Sequence, residues 1–307
     1  MSSADPAPQG ESVAVAVLTR DRPEDVAVLL SALRAQTAPV ETVVVVDAGT
    51  RSCDLAPYQQ DLHITSIRSR SNLGGAGGFS LAILSALATT AEWVWIMDDD
   101  ACPEGADCLR TMLSVATERS LSAISPIIVA PEDPTRLSFP FRMNGKLTYD
   151  RATVMAQAFW PGHGLLFNGL LIRRSALFQV GLPDLRLFIR GDEVDYLLRL
   201  QKSGLRFGTT AAAAFTHPTG WAEVNHIVKD RYHVLVPETD FKRWYFFRNR
   251  GYLIRQHRRP LSLVIDLVGY SVYYLVKQRD PAGYLRWWAA FRSGLREDFT
   301  GRDTPAR

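Results

Sequence analysis

The feature that most constrains this chain is a rhythm in its first hundred residues, where short runs of strand formers alternate with segments of helical length. Val13 to Thr19 (VAVAVLT) leads through Arg20-Asp21-Arg22-Pro23 into a helix reaching about Gln36, with Pro23 suited to the first helical turn. "TVVVVDAG" reads as a β-branched strand ending at Asp47 and a glycine turn, and "HITSIRS" as a weaker strand. "NLGGAGGFSLAILSALATT" opens as a glycine-rich loop and becomes an apolar helix, and "EWVWIMDDD" supplies the next strand. Crossovers of this length join parallel strands, so the rhythm predicts an α/β fold with a mainly parallel sheet. Such sheets bind ligands at the carboxyl ends of their strands. Thr19, Asp47 and Asp98 all fall at those ends, and they are expected to share one crevice.

An apolar run ending in Asp98, Asp99 and Asp100 requires explanation. Crowded carboxylates repel, and each loses hydration when enclosed, so a positive partner is expected. Alternation along a strand would turn Asp98 and Asp100 one way and Asp99 the other. Oxygen ligands with open positions suit Mg²⁺ or Mn²⁺ bridging to phosphates; the alternative is a solvated acidic turn capping the next helix. The glycine loop fits neither a GxGxxG fingerprint, since Ser80 stands where the last glycine belongs, nor a GxxxxGK[ST] loop. It either lets a backbone pass close to a ligand or lets a helix start tightly against the sheet. In "RGDEVD", Asp192 and Glu193 open a helix that Gly204 stops; the helix dipole alone favours acids there, but adjacent carboxylates also raise a pKa into the range of a general base. His217, before Pro218, is either a loop histidine or a third metal ligand. Trp221 is either packing or a sugar-stacking platform.

The charge is unevenly placed. The net is +3, but from residue 242 onward 14 Lys and Arg face 5 Asp and Glu, an excess of nine that leaves the remainder at −6. A basic tail implies an anionic partner, either membrane headgroups or nucleic acid. "LSLVIDLVGYSVYYLV" falls about four residues short of a typical span and carries Asp266, which argues against a spanning helix. Its basic, Trp- and Tyr-containing flanks suit a helix lying in the membrane interface, and the alternative is a core helix with a solvated basic face. Cys53, Cys102 and Cys108 form no CxxC pair and suit free thiols in a reducing compartment. No signal peptide is expected from the N-terminus, and residues 1–11 read as a disordered tail.

Taken together and in this order, these residues resemble the inverting nucleotide-sugar glycosyltransferases with a GT-A (Rossmann-like) fold. "NLGGAGGF", "WVWIMDDD", "DPTRLSFP", "FNGLLIRRS", "PDLRLFIRGDEVD" and "RNRGY" are similar to the galactofuranosyltransferases that initiate actinobacterial cell-wall galactan, a likeness running from about Val13 to about Arg296. The resemblance implies a catalytic domain over 12–240 and a basic, helical, membrane-associating region over 241–307. It implies UDP-galactofuranose as donor and a polyprenyl-diphosphate-linked disaccharide as acceptor, at the cytoplasmic face of the plasma membrane, with no role for nucleic acid. Asp47 would bind the nucleoside, with Arg20, Asn72 and Asp99 completing the donor pocket. Asp98 and Asp100 of a DxD-type motif, with His217, would hold Mn²⁺ or Mg²⁺. Glu193 would be the base; chain-extending relatives have Asp at this position, so Asp192 stands as the alternative. A sister enzyme using another nucleotide sugar, such as dTDP-rhamnose, remains the competing reading, because pocket contacts and not the DxD choose the sugar.

Overall fold

The computed structural model describes residues 11–143, 146–228 and 232–300. The tail expected over residues 1–11 thus lies, apart from Glu11, outside the described residues. The first half comprises β1 (Val13–Thr19), α1 (Pro23–Arg34), β2 (Thr42–Asp47), α2 (Gln59–Leu62), β3 (Ile64–Arg68), α3 (Gly74–Leu87), β4 (Trp93–Asp98), β5 (Cys102–Pro103), α4 (Cys108–Glu118) and β6 (Ala123–Ala130). Next come β7 (Asp133–Met143), β8 (Lys146–Asp150), α5 (Arg151–Met155), β9 (Phe159–Pro161), β10 (Asn168–Arg173), α6 (Arg174–Val180) and α7 (Asp192–Lys202). The chain continues through β11 (Phe207–Thr216), β12 (Val224–Val228), β13 (Tyr232–Leu235), α8 (Asp240–Gln256), α9 (Pro260–Ser271) and α10 (Pro281–Leu295).

One mixed sheet runs in the order β3-β2-β1-β4-β10-β6-β11-β5. Its long strands are parallel except β10, which lies antiparallel between β4 and β6. The short strands β5 and β9 and the long strand β7, all antiparallel to their neighbours, extend it at the margin. β1 is buried along its whole length, and its alternation sorts the core into two layers. Val13, Val15 and Val17 pack with Trp93, Trp95 and the leucines of α1; Ala14, Ala16 and Leu18 pack with Phe79 and Ile83 of α3 and Tyr196 of α7. Register then sets the functional geometry: Thr19 is paired with Asp47, and Leu18 with Asp98, so the three strand ends are neighbours.

α8, α9 and α10 build a separate aromatic core, in which Trp287 stacks between Tyr270 and Phe291 at centroid distances of 5.1 and 5.2 Å. Val234 and Val236, at the end of the β12–β13 hairpin, join this core. All three cysteines are free.

Candidate active site

β4 ends at Asp98 and a turn begins at Asp99, so strand alternation does not extend through the triplet. Asp99 is buried and bends back onto β1, accepting from Thr19 Oγ1 at 2.8 Å and from the Arg20 backbone N–H at 3.3 Å. Asp100 turns the other way, toward His217. Arg22 bridges the two, with Nη1 3.2 Å from Asp99 Oδ1 and also bonded to Asp100 Oδ2. The positive partner demanded by the carboxylates is therefore partly the protein's own guanidinium. Burial pushes Asp98 well above the usual carboxylate range, and the neighbouring Asp99 and Asp100 add to it. Burial also works to raise Asp100, but His217 and Arg22 outweigh it and hold that carboxyl down at about 2.

The residues around Asp100 fit a divalent cation. His217 Nδ1 lies 2.6 Å from the Pro218 carbonyl, which only accepts, so Nδ1 donates and Nε2 presents its lone pair in the neutral ring. Nε2 faces Asp100 Oδ1 at 3.2 Å, and that oxygen is buried without a hydrogen-bond partner. Two acceptors so placed require a cation between them, either a proton or a metal. Among the described residues no three or more His, Cys, Asp or Glu side chains are grouped so as to hold a metal ion, so the facing pair Asp100 and His217 is the part of the expected set that the structure brings together. A cation here would keep open positions for a substrate, as a catalytic site requires.

Phe167 joins this turn to the helix carrying the paired acids. Its carbonyl accepts from the Asp98 backbone N–H at 2.8 Å, and its own N–H donates to Glu193 Oε1 at 3.3 Å. Glu193 and the acid triplet therefore flank a single residue. Burial raises the Glu193 pKa, opposed by the Phe167 N–H and by the charges of His217 and Arg190. Burial and then Glu193 raise the neighbouring Asp192 to about 7. Both carboxyls hold protons more tightly than an exposed acid does.

The glycine loop serves this helix. Gly74 has φ +64°, and a Cβ there would sit 2.4 Å from the Phe188 carbonyl, which accepts from the Ala76 N–H at 2.9 Å. A Cβ on Gly75 would stand 2.9 Å from Asp192 Oδ2. The loop lies against the segment that delivers Asp192 and Glu193. Asn72 shapes its entry, with Oδ1 accepting from the Gly74 N–H at 3.0 Å.

Asp47 is buried, with Oδ1 accepting from the Gly49 N–H at 2.9 Å and Oδ2 3.3 Å from Arg68 Nη1. Arg20 reaches Asp21 at 3.8 Å, and it is Arg22 whose side chain meets the triplet. Trp221 carries Arg136 over its ring at 3.8 Å and donates to the Leu137 carbonyl at 3.0 Å, so packing accounts for it and the stacking-platform reading is set aside. The sequence reading overlooked the role of "RNRG". Asn249 is fully buried, and its Nδ2 donates to the carbonyls of Leu187, Ile189 and Arg190 at 2.7, 2.8 and 2.9 Å. The Arg190 guanidinium pairs bidentately with Glu223 at 2.7 and 2.8 Å. These contacts clamp the loop immediately before Asp192. The only signal in the sequence was an amide and arginines inside an otherwise aromatic helix.

Comparison with known proteins agrees with this architecture. The sequence profile described as Glycosyltransferase like family 2 matches residues 8–233. Galactofuranosyltransferase GlfT1 of Mycobacterium tuberculosis (strain H37Rv) is 42% identical over 298 residues, spanning 94% of this chain and 97% of that protein. The Staphylococcus aureus TarS 1-349 structure in complex with UDP-GlcNAc superposes with a TM-score of 0.58 at 12% identity, covering 94% of this chain and 83% of that one. Mannosyltransferase PcManGT from Pyrobaculum calidifontis, in complex with GDP-Man and Mn²⁺, gives 0.51 at 18% identity, covering 96% and 78%. At those identities the two structures speak for the fold alone, whereas the profile and the near full-length relative speak for descent. The chain belongs to the glycosyltransferase family 2-like enzymes and has their GT-A fold.

Proposed function

We propose that the chain is a metal-dependent, inverting galactofuranosyltransferase. It would move galactofuranose from UDP-galactofuranose onto a rhamnosyl-N-acetylglucosaminyl diphosphate polyprenol linker, initiating the cell-wall galactan (arabinogalactan). The observation that carries the reading is the placement of Glu193 and the Asp98–Asp100 turn on either side of Phe167, with His217 facing Asp100. The sugar is supported by the 42% identical relative, which is named a galactofuranosyltransferase. A lipid-linked acceptor would place the enzyme peripherally at the cytoplasmic face of the plasma membrane.

Asp100 and His217, with Asp98 on the same turn, would hold Mn²⁺ or Mg²⁺, which supplies charge neutralisation for the departing diphosphate. Thr19 and Asp99 fix the end of β1 against the end of β4, and Asp47 with Arg68 shapes the nucleoside side of the crevice. Glu193 Oε1 is oriented by the Phe167 N–H, leaving the carboxylate to take the proton of the acceptor hydroxyl as it attacks the anomeric carbon from the face opposite UDP. Direct displacement needs both substrates aligned in one cleft, and the clamp on residues 187–190 keeps the base fixed in it.

The test is a donor panel with purified enzyme and a lipid-linker acceptor, reading released nucleotide. UDP release from UDP-galactofuranose, dependent on acceptor, is the expected result. Release from dTDP-rhamnose with none from UDP-galactofuranose would replace this reading with a sister transferase.

A further inference from the structure

α9 continues into a π-helical turn, Val272–Lys277, and the two form one rod of 18 residues with mean hydropathy 1.2. A helix packed on a water-soluble body turns its apolar stripe inward and its polar face outward. In this rod the outward face is apolar too, and the acid lies on the inward face. Asp266 faces inward at 2% exposure, held by Arg250 through Nη2–Oδ1 at 2.6 Å and a second bond from Nε. Tyr270 and Tyr274 face the same way, into the aromatic core shared with α8 and α10. Outward stand Leu261 (71% exposed), Val264 (56%), Ile265 (40%), Val268 (56%), Leu275 (45%) and Val276 (67%). Those positions recur at the spacing of one helical face, so the stripe is continuous along the rod.

Its ends are basic. Arg258 and Arg259 precede α9, and Lys277 and Arg279 follow it, all exposed. Arg258, Arg259 and Arg279 form no ion pair among the described residues. An exposed apolar stripe with cations at both ends suits one leaflet of an anionic bilayer, the stripe facing the acyl chains and the cations meeting phosphates of the same headgroup layer.

We infer that this face docks the enzyme on an anionic lipid bilayer, with the rod lying in the plane of the interface. The inference deepens the peripheral placement proposed above by naming the surface. A second copy of the chain is the poorer occupant. A two-fold pairing with the rods antiparallel would set Arg258 and Arg259 of one copy against Lys277 and Arg279 of the other. Full insertion is opposed by the inner face, because withdrawing the rod from α8 would carry Asp266 into the hydrocarbon without its Arg250 partner.

The experiment is flotation of the full chain with phosphatidylcholine vesicles, with and without phosphatidylglycerol, alongside sedimentation without lipid. Wild type should float with the anionic vesicles, and added salt should release it. Val264→Glu/Val268→Glu should lower partitioning by roughly tenfold or more, since the pair places two charges at the centre of the stripe. UDP binding and transfer to a water-soluble acceptor should be unchanged, which separates failure of docking from failure of the enzymatic reading. Arg258→Glu/Arg259→Glu gives a second arm should the valine pair disturb folding, and it should lose only the anionic component. Failure of wild type to float, or flotation of both double variants at the wild-type level, overturns the inference. So does a wild-type dimer that the valine variant dissociates while neither protein floats, because a second copy would then cover the face.

Discussion

The Thr19 hydroxyl donates to Asp99 Oδ2 at 2.8 Å, tying the end of the first strand to the end of the fourth across 80 residues of sequence. Both side chains are buried. Burial raises the Asp99 pKa, and the Thr19 bond is the first influence that opposes it. Thr19→Val keeps the shape and removes the donor, leaving a buried carboxylate oxygen short of a partner. Stability should fall by about 1–3 kcal/mol, read from denaturant midpoints, because an unsatisfied buried acceptor costs its desolvation. An unchanged midpoint would mean that Arg22 and the Arg20 N–H carry Asp99 without the hydroxyl.

The proposed metal dependence, motivated by Asp100 Oδ1 and His217 Nε2 facing each other at 3.2 Å, is directly testable. Transfer should vanish with a chelator and return with Mn²⁺ or Mg²⁺. Asp98→Ala and Asp100→Ala should weaken UDP binding measured calorimetrically in metal, and His217→Ala should weaken it less, as expected of an auxiliary ligand. Full activity after exhaustive chelation would remove the cation from the mechanism.

Glu193→Gln preserves the acceptor of the Phe167 N–H but cannot take a proton. Turnover should fall by about 10²- to 10⁴-fold, the usual contribution of a positioned base, with UDP affinity nearly unchanged. Asp192→Asn should cost less. Near wild-type transfer by Glu193→Gln beside a dead Asp192→Asn would move the base to the neighbouring carboxylate.

Much of this arrangement was legible in the sequence. VAVAVLT, TVVVVD and WVWIMD are strands because β-branched and aromatic residues suit a sheet buried on both faces. Their common direction places Thr19, Asp47 and Asp98 at one edge whatever the rest of the chain does. Arg22 and Arg68 were hidden, because an arginine's reach is decided by which neighbour the fold supplies. The glycine loop offered a ligand or a tight helix start, and the helix start is what the structure shows: a Cβ on Gly78 would sit 2.2 Å from Leu18 of β1, while Gly74 and Gly75 lie against the Phe188 carbonyl and Asp192. The strand ends at Asp98, so the turn and not strand alternation is what sends Asp99 to Thr19 and Asp100 to His217. Asp266, read as an obstacle to membrane crossing, is the inward anchor of its helix.

Asp192 makes stability pH-dependent. Its carboxyl is raised to about 7 in the folded protein from an ordinary value of 3.8. Below pH 4 both states hold the proton and nothing is lost. Between pH 4 and 7 the unfolded chain gives up the proton that the folded one keeps, so this group costs stability as pH rises, and the cost levels off above pH 7. Asp192→Asn removes that slope. Its stability advantage over wild type should grow by a few kcal/mol between pH 4 and 7, since each tenfold difference in proton affinity between the folded and unfolded chain is worth about 1.4 kcal/mol. Parallel denaturation curves for the two proteins at pH 4.5 and 7.5 would instead show that Asp192 ionises freely.

Asn249 is where the C-terminal helices act on the chemistry. One amide nitrogen satisfies the carbonyls of Leu187, Ile189 and Arg190, three backbone groups packed into the turn ahead of Asp192 and Glu193. The Leu187 carbonyl also accepts from Arg248 Nη2 at 3.2 Å and from the Ile189 N–H at 2.8 Å, whereas a buried carbonyl left without its donor rotates toward water and carries the helix start with it. Asn249→Ala should therefore cost more than its lost volume, on the order of 2–4 kcal/mol in stability, since a fully buried network is broken. Its kinetic signature should be distinct from that of a donor-pocket residue. In the proposed reaction UDP would lie on the other side of Phe167, at Asp47 and the triplet, so its affinity should change little. Turnover should fall by roughly tenfold or more, because about 1 Å of drift in a general base has large consequences. Asn249→Asp offers acceptors where the two N–H donors shared among the three carbonyls are needed, so it should not rescue either property. Loss of UDP affinity with turnover of the bound complex intact would place the effect of Asn249 on the donor side of the crevice and away from Glu193.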